Sequence, residues 1–329
     1  MCVLLKHYGA DVYGYALNPP TEPSLYDIVG VDKMVTSEIG DIRDWEHLSS
    51  FYKKVRPDFV IHMAAQPLVR LGYDEPRMTY ESNVMGTINI LECVRIYGCR
   101  SFLNVTTDKV YRNLENGRKY IETDELDGFD PYSNSKSCSE LVTATYRRSF
   151  PRIDCAISTA RAGNVIGGGD FARDRIVPDC VRAAVSHGKI ILRNPGSVRP
   201  YQHVLEPLFG YLSILVAQYE ERSKAGSYNI APKDGWNCTT GMIADLFCGA
   251  WRNDLLWGHV DDDGPHEANL LMLDGSKINA VMGFKSKWSV DVAIGKVVDW
   301  TKVWHDKGDV YSEMINEILE YAKEGFSDV

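Results

Sequence analysis

The sequence predicts an α/β protein: a doubly wound parallel sheet followed by a smaller C-terminal α/β region. Three observations carry this. Short runs of strand character alternate with segments of helical periodicity up to about residue 164. Past that point Gly and Pro become denser (Gly167-Gly168-Gly169, Pro178, Pro195, Pro200, Pro207) and the alternation is lost. A helical stretch at 205–221 and a strand-like run, Ser227–Ala231, then return to the first pattern. Residues 1–164 with 201–232 are therefore expected to form one domain, and 165–200 with 233–329 a second.

Taken in order, residues 1–10 read as the back half of a helix, with Gly9 where a terminating glycine belongs. Asp11–Leu17 reads as a strand, as does the stretch leading to Ile39-Gly40-Asp41. A helix is expected over 44–55, with Asp44 as its cap and Trp45, Leu48, Phe51 and Tyr52 on one face. The strand Asp58–Met63, a helix over 78–97 and the strand Ser101–Thr106 follow. The turn Asp130-Pro131 opens a helix over 132–149, and Asp154–Thr159 is the next strand. Such alternation requires a parallel sheet with both faces covered and right-handed crossovers.

A doubly wound dinucleotide fold opens with a strand, a Gly-rich turn and a helix N-terminus that faces a pyrophosphate. No G-x-G-x-x-G or G-x-x-G-x-x-G precedes Asp11–Leu17, which reads as the second strand. Gly167-Gly168-Gly169 does not replace that turn, because no helix opens on it. The first strand and Gly-rich turn are thus expected to lie outside this chain, about 15–25 residues by usual element lengths. The two strands beside the missing one are then expected to be unpaired, and the chain as given to hold a dinucleotide weakly.

The 329 residues carry 36 Lys+Arg against 45 Asp+Glu, a net charge of −9. With 44% hydrophobic and 25% charged residues, the composition excludes a disordered or collagen-like chain. The acidic balance argues against nucleic-acid binding. No apolar run reaches the ~18–20 residues of a membrane span. The eight cysteines show no C-x-x-C pair, so structural thiols in a reducing cytoplasm are expected, and no metal. Asp261-Asp-Asp263 reads as a solvated loop.

The chemistry centres on Tyr132-Ser-Asn-Ser-Lys136. Tyr and Lys four apart project from one face of a helix. An ammonium beside a phenol whose pKa is ordinarily near 10 favours the phenolate. The pair alone is a weak signal, but Thr107-Asp108-Lys109 stands at the carboxyl end of a strand, the edge where open α/β sheets bind ligands.

The chain resembles the extended short-chain dehydrogenases/reductases and, within them, the CDP-glucose 4,6-dehydratases. The matching blocks include Ile39-Gly-Asp-Ile-Arg-Asp44, His62-Met-Ala-Ala-Gln-Pro-Leu-Val-Arg70, Asn83-Val-Met-Gly-Thr87 and Asp130-Pro-Tyr-Ser-Asn-Ser-Lys136. They continue through Arg161-Ala-Gly-Asn-Val-Ile-Gly-Gly-Gly-Asp170 and Arg199-Pro-Tyr-Gln-His-Val-Leu-Glu-Pro207. Most nucleotide-sugar dehydratases carry Asp-Glu where this chain has Asp108-Lys109, which favours the CDP-sugar branch.

The resemblance implies an NAD-binding Rossmann-type domain and removal of water from C5/C6 of a nucleotide hexose, CDP-glucose being favoured. It implies that Tyr132 accepts the C4 hydroxyl proton, that Lys136 assists it and holds the nicotinamide ribose, and that Thr107 positions the C4 oxygen. Asp108 is implied as the acid for the C6 hydroxyl. Lys109 either abstracts the C5 proton or orients a water or the sugar. Asp41 and Ile42 are implied near adenine, Ala64 and Ala65 beside the pyrophosphate. Asn164, Arg193, Arg199, His203, His266 and Glu267 are the implied nucleotide-sugar contacts. Relatives dimerise through two long helices, here 78–97 and 132–149. A related 4-epimerase, a dTDP-glucose dehydratase or a non-catalytic sugar-nucleotide-binding chain are the alternatives.

Overall fold

The computed structural model describes residues 1–150, 154–233, 238–251, 254–260 and 270–323. The parallel sheet lies in two pieces. β1 (Tyr13–Ala16) pairs with β2 (Thr36–Ile39). The larger piece contains β3 (Phe59–His62), β4 (Ser101–Val105), β5 (Ala156–Ala162) and one further strand, Ser227–Ile230. Its order is Ser227–Ile230, β5, β4, β3. Among the described residues β1 and β3 each pair on one side only, as the reading of 11–17 as a second strand requires. The consequence shows in exposure: Phe59 on the β3 edge is 42% exposed, whereas Phe102 and Leu103 in central β4 are fully buried.

The helices fall close to their expected places. Cys2–His7 ends at Gly9, whose φ of +83° lets the N–H groups of Gly9 and Ala10 close back on the carbonyls of Lys6 and Leu5. Asp44 caps Trp45–Val55 by accepting from His47 N at 3.1 Å. The expected helix over 78–97 is interrupted. Pro76–Tyr80 and Gly86–Tyr97 are α-helical, but Glu81–Met85 between them is a π turn. Pro131–Ser149 starts at the Asp130 cap.

Beyond β5 the chain forms three short ladders. β6 (Val165–Ile166) pairs in parallel with Gln202–His203, and β7 (Ile190–Leu192) with Trp257–His259. β8 (Val198–Arg199) runs antiparallel to Cys238–Thr239. Helices Ile176–Val185, Thr240–Trp251 and Val290–His305 cover them around a core that includes Val177, Ile190, Ile243, Phe247 and Val297.

The core of the main sheet draws on residues far along the chain. Ile278, Trp288, Ile318 and Tyr321 pack with Leu4, Leu103, Ala160 and Tyr211. The segments carrying them thus adhere to the sheet rather than to the second core, although they lie beyond 232. Buried Glu206 fastens them. It accepts from the backbone N–H of Lys287 at 3.0 Å, that of Trp288 at 2.7 Å, and the Tyr321 hydroxyl. The eight thiols are free, and no described helix is long and apolar enough to cross a membrane.

Candidate active site

The carboxyl ends of β4 and β5 meet the first turns of the Pro131–Ser149 helix at a cavity of about 1360 Å³. Thr107, Lys109, Tyr132, Asn164, Arg193 and Arg199 all line it, from segments up to 92 positions apart in the chain. Tyr132 and Lys136 share a helix face, as their spacing requires. The Lys136 amine is buried and donates to the Val105 carbonyl at 2.8 Å. Burial pulls Lys136 down to about 8, against the upward pull of the Glu140 carboxylate. Burial pushes the Tyr132 phenol up to about 12; the Thr107 hydroxyl and the Arg175 guanidinium act the other way.

The Thr107-Asp108-Lys109 turn folds back on itself. The Thr107 hydroxyl donates to Asp108 Oδ1 at 2.9 Å. Lys109 Nζ lies 3.5 Å from that same oxygen and 3.4 Å from Asn164 Oδ1. Asp108 is fully buried, and its Oδ2 has no hydrogen-bond partner among the described residues. The turn therefore brings an alcohol and an amine to the cavity wall that also carries the Tyr132 phenol, while the Asp108 carboxyl lies buried behind them and does not line the cavity, a correction to its expected place at the reacting carbons.

One further expectation changes here. His203 does not line the cavity. Its strand pairs with β6, which turns the side chain into the core against Trp288, with ring centroids 4.9 Å apart. Its Nδ1 accepts from Leu205 N at 3.3 Å, and burial pulls its pKa down to about 3, so it is neutral and walled off from any diphosphate. His266 and Glu267 lie outside the described residues. Arg193 is held at 2.7 Å by Asp174, and Arg199 donates to the Val198 carbonyl at 3.0 Å.

The residues expected around a dinucleotide follow β2 and β3. Asp41 grips Arg43 through both carboxylate oxygens, which holds its pKa below the usual carboxylate range. Ile42 packs so closely on Gly86 that a Cβ there would fall 2.6 Å from it. Ala64 and Ala65 lead into Gln66, whose backbone N–H and carbonyl are both bonded by the Asn83 side chain, at 2.8 and 3.0 Å. Asn83 sits in the π turn, so the extra residue in that helix aims it at this loop. These small and polar groups are compatible in size and polarity with the adenosine and pyrophosphate of NAD. A glycine turn on a helix N-terminus is not found among the described residues near them.

The GDP-mannose 4,6 dehydratase family model matches residues 6–297. The chain belongs to this family. A relative described as CDP-glucose 4,6-dehydratase, from Salmonella typhimurium, is 42% identical over 96% of this chain and 90% of its own length. A dTDP-glucose 4,6-dehydratase of Streptomyces antibioticus is 28% identical over 82% of this chain and 77% of its own. Among solved structures, a Thermus thermophilus UDP-glucose 4-epimerase in complex with NAD superposes with a TM-score of 0.79 at 22% identity, covering 92% of this chain and 95% of that one. A Bacillus anthracis dTDP-glucose 4,6-dehydratase in complex with NAD gives 0.77 at 18%, covering 93% and 92%. At those identities the likeness bears on the fold.

Within this dehydratase-family site the structure adds residues that sequence reasoning left unassigned. Arg70 and Arg175 line the cavity beside Arg193 and Arg199. Arg70 closes the His62–Arg70 block, and Arg175 caps the Ile176–Val185 helix. An arginine directly before a helix start at a ligand-binding edge was the signal available for Arg175. Tyr211 also reaches the cavity from the opposite side of the sheet.

Proposed function

We propose that this chain acts as an NAD-dependent CDP-glucose 4,6-dehydratase, converting CDP-glucose to CDP-4-keto-6-deoxyglucose. The observation that carries this reading is that Thr107 and Lys109 line one cavity together with Tyr132, with Asp108 bonded to Thr107 just behind them, together with the 42% identity to a CDP-glucose 4,6-dehydratase. An epimerase has no use for an acid at C6, so the Asp108-Lys109 pair favours elimination.

Bound NAD supplies the hydride acceptor for C4 and the hydride returned to C6. Tyr132 takes the C4 hydroxyl proton, and Thr107 holds that oxygen. Lys136 keeps a positive charge one turn from the phenol, which favours the phenolate. Once C4 is a carbonyl, the C5 proton is acidic. Lys109, at 3.4 Å from Asn164, is placed either to take it, and to return it to C5 when hydride reaches C6, or to orient the sugar. Asp108 gives a proton to the departing C6 hydroxyl. Arg193 and Arg199 offer planar forks to the diphosphate, joined by Arg70 and Arg175. Asp41, Ile42, Ala64 and Ala65 hold the rest of the dinucleotide.

On this reading residues 1–164 with 201–232 serve the cofactor, and 165–200 with much of 233–329, His266 and Glu267 included, serve the nucleotide sugar. The enzyme works in the cytoplasm as a homodimer through the helices around 78–97 and 132–149. Met85 at 50% exposure and Leu141 at 54% offer apolar contacts there. Sedimentation of the purified chain tests the dimer.

Incubation with CDP-glucose and NAD, followed by product analysis, tests the activity. A 4-keto-6-deoxy product is expected. A C4 epimer, or turnover of dTDP-glucose alone, overturns the assignment.

A further inference from the structure

We propose that Glu140 is a positioning residue for this dehydratase chemistry: it clamps the end of β4 to the Tyr132–Lys136 helix and sets a buried carboxylate one turn from Lys136. This rests on the dehydratase reading and concerns a residue to which no role has been given in it.

Tyr132, Lys136 and Glu140 are spaced four apart on one helix, so they form a single stripe. Glu140 is 2% exposed. A carboxylate this deep requires partners, and it has three. The Thr106 hydroxyl donates to Oε1 at 2.5 Å, the Thr159 hydroxyl to Oε2 at 2.7 Å, and Arg161 Nη2 to Oε2 at 2.8 Å. These partners come from the ends of β4 and β5, the two strands whose tips build the cavity.

The location of Thr106 gives the clamp its meaning. Its predecessor, Val105, supplies the carbonyl that receives the Lys136 amine. Its successor is Thr107. One carboxylate thus holds the residue between the Lys136 anchor and the reacting turn. Arg161 carries the restraint to the far end of that turn, because Nη1 donates to the Tyr111 hydroxyl at 2.7 Å. Tyr111 in turn donates to Asn229 at 2.7 Å. The turn 107–110 is gripped at both ends by one buried ion pair.

The second effect is electrostatic. Glu140 and Tyr132 share the helix face of Lys136, His62 from β3 is close enough to feel its charge, and Arg161 from β5 is bonded to Glu140. Tyr132 is faced in its turn by Asp108, Asp130, Arg175 and Tyr211. His62 is buried and neutral. Glu140 is therefore the negative charge that opposes the loss of the Lys136 proton. Removing that charge lets Lys136 deprotonate at lower pH.

The experiment compares kcat/KM against pH for the wild-type chain, Glu140→Gln, the double variant E140Q/R161Q and Thr106→Val, with thermal midpoints alongside. The double variant leaves no unpaired buried charge should Glu140→Gln alone fail to fold. In Glu140→Gln or the double variant, the alkaline limb is expected to move down by roughly half a pH unit or more. Thr106→Val keeps the carboxylate, so it is expected to lower kcat by about tenfold or more with the limb in place. A limb that stays put in the folded charge-removing variants overturns the proposal, and so does a Thr106→Val chain with wild-type kcat. Failure of the wild type to turn over CDP-glucose sinks the dehydratase reading instead. In that case the tie between Glu140 and Lys136 is read from the Lys136 titration by NMR, where an unchanged midpoint in the charge-removing variants overturns it.

Discussion

The Lys136 amine donates to the Val105 carbonyl at 2.8 Å, and this one bond ties the helix bearing Tyr132 to the strand that ends at Thr107. Lys136 therefore has a structural and an electrostatic role at the same atom. Drawn to about 8 by burial, it loses its charge just above neutrality. Turnover should fall as pH rises through about 8. Lys136→Arg keeps a charge throughout that range. It should be slower than wild type and lack this alkaline fall. Lys136→Met should lose about 100-fold or more. A pH series of kcat/KM on the three proteins checks this, and an alkaline fall retained by Lys136→Arg would contradict it.

Asp108 is fully buried with one oxygen unpartnered among the described residues, so Asp108→Asn changes the proton inventory while nearly preserving shape. Oxidation at C4 does not require that proton. The variant is expected to accumulate reduced nicotinamide on addition of CDP-glucose, while product formation drops by about 100-fold or more. Stopped-flow absorbance together with product analysis separates the two steps. Unimpaired product formation would remove Asp108 from the acid role.

His62 on β3 is buried, bonded at 3.0 Å to the Thr87 hydroxyl and pulled down from 6.5 to about 3, first by burial and then by Lys136. The unfolded chain takes up this proton near 6.5 and the native chain does not until near 3. Stability from this group is thus full above 6.5 and is lost as pH falls, by about 1.4 kcal/mol per pH unit. Replacing His62 with Gln removes that share. The stability gap between wild type and His62→Gln should shrink as pH falls from neutrality to about 5 in urea titrations. A constant gap would show that the imidazole takes up its proton at the same pH in the native and unfolded chains.

Gly128 lies against the opening turn of the Tyr132 helix: a Cβ there would meet the Ser133 carbonyl carbon at 2.3 Å. Backbone cannot yield as a side chain can. Gly128→Ala should destabilise the chain by about 1–3 kcal/mol and slow turnover by shifting Tyr132. Gly249, inside the Thr240–Trp251 helix with open space around it, is the control. Gly249→Ala should stabilise by up to about 1 kcal/mol with turnover unchanged. Thermal melts and rates on both variants decide this.

Periodicity was enough to read the strands and the Tyr132 helix, because burial on one or two faces leaves a direct mark on residue type. It could not show the π turn at Glu81–Met85, since one extra residue in a helix barely disturbs its apolar pattern. Yet that residue is what aims Asn83 at Gln66. Block resemblance pointed to Arg193, Arg199 and His203 alike; the two arginines line the cavity and His203 does not. A motif gives residue identity, whereas the ladder between Gln202–His203 and β6 decides which way each side chain points. The attachment of Ile318 and Tyr321 to the main sheet was equally illegible, as it depends on Glu206, more than a hundred positions earlier.

The parallel ladder between Val165–Ile166 and Gln202–His203 stands where the chain leaves the main sheet and where it returns. Gln202 N donates to the Asn164 carbonyl at 3.0 Å, and Val204 N to the Ile166 carbonyl at 2.7 Å. Asn164, Val165, Ile166 and Val204 also line the cavity. The outgoing and returning strands therefore behave as one torsion bar. The cavity wall is stitched there by main-chain bonds, so it cannot open at that point without breaking them.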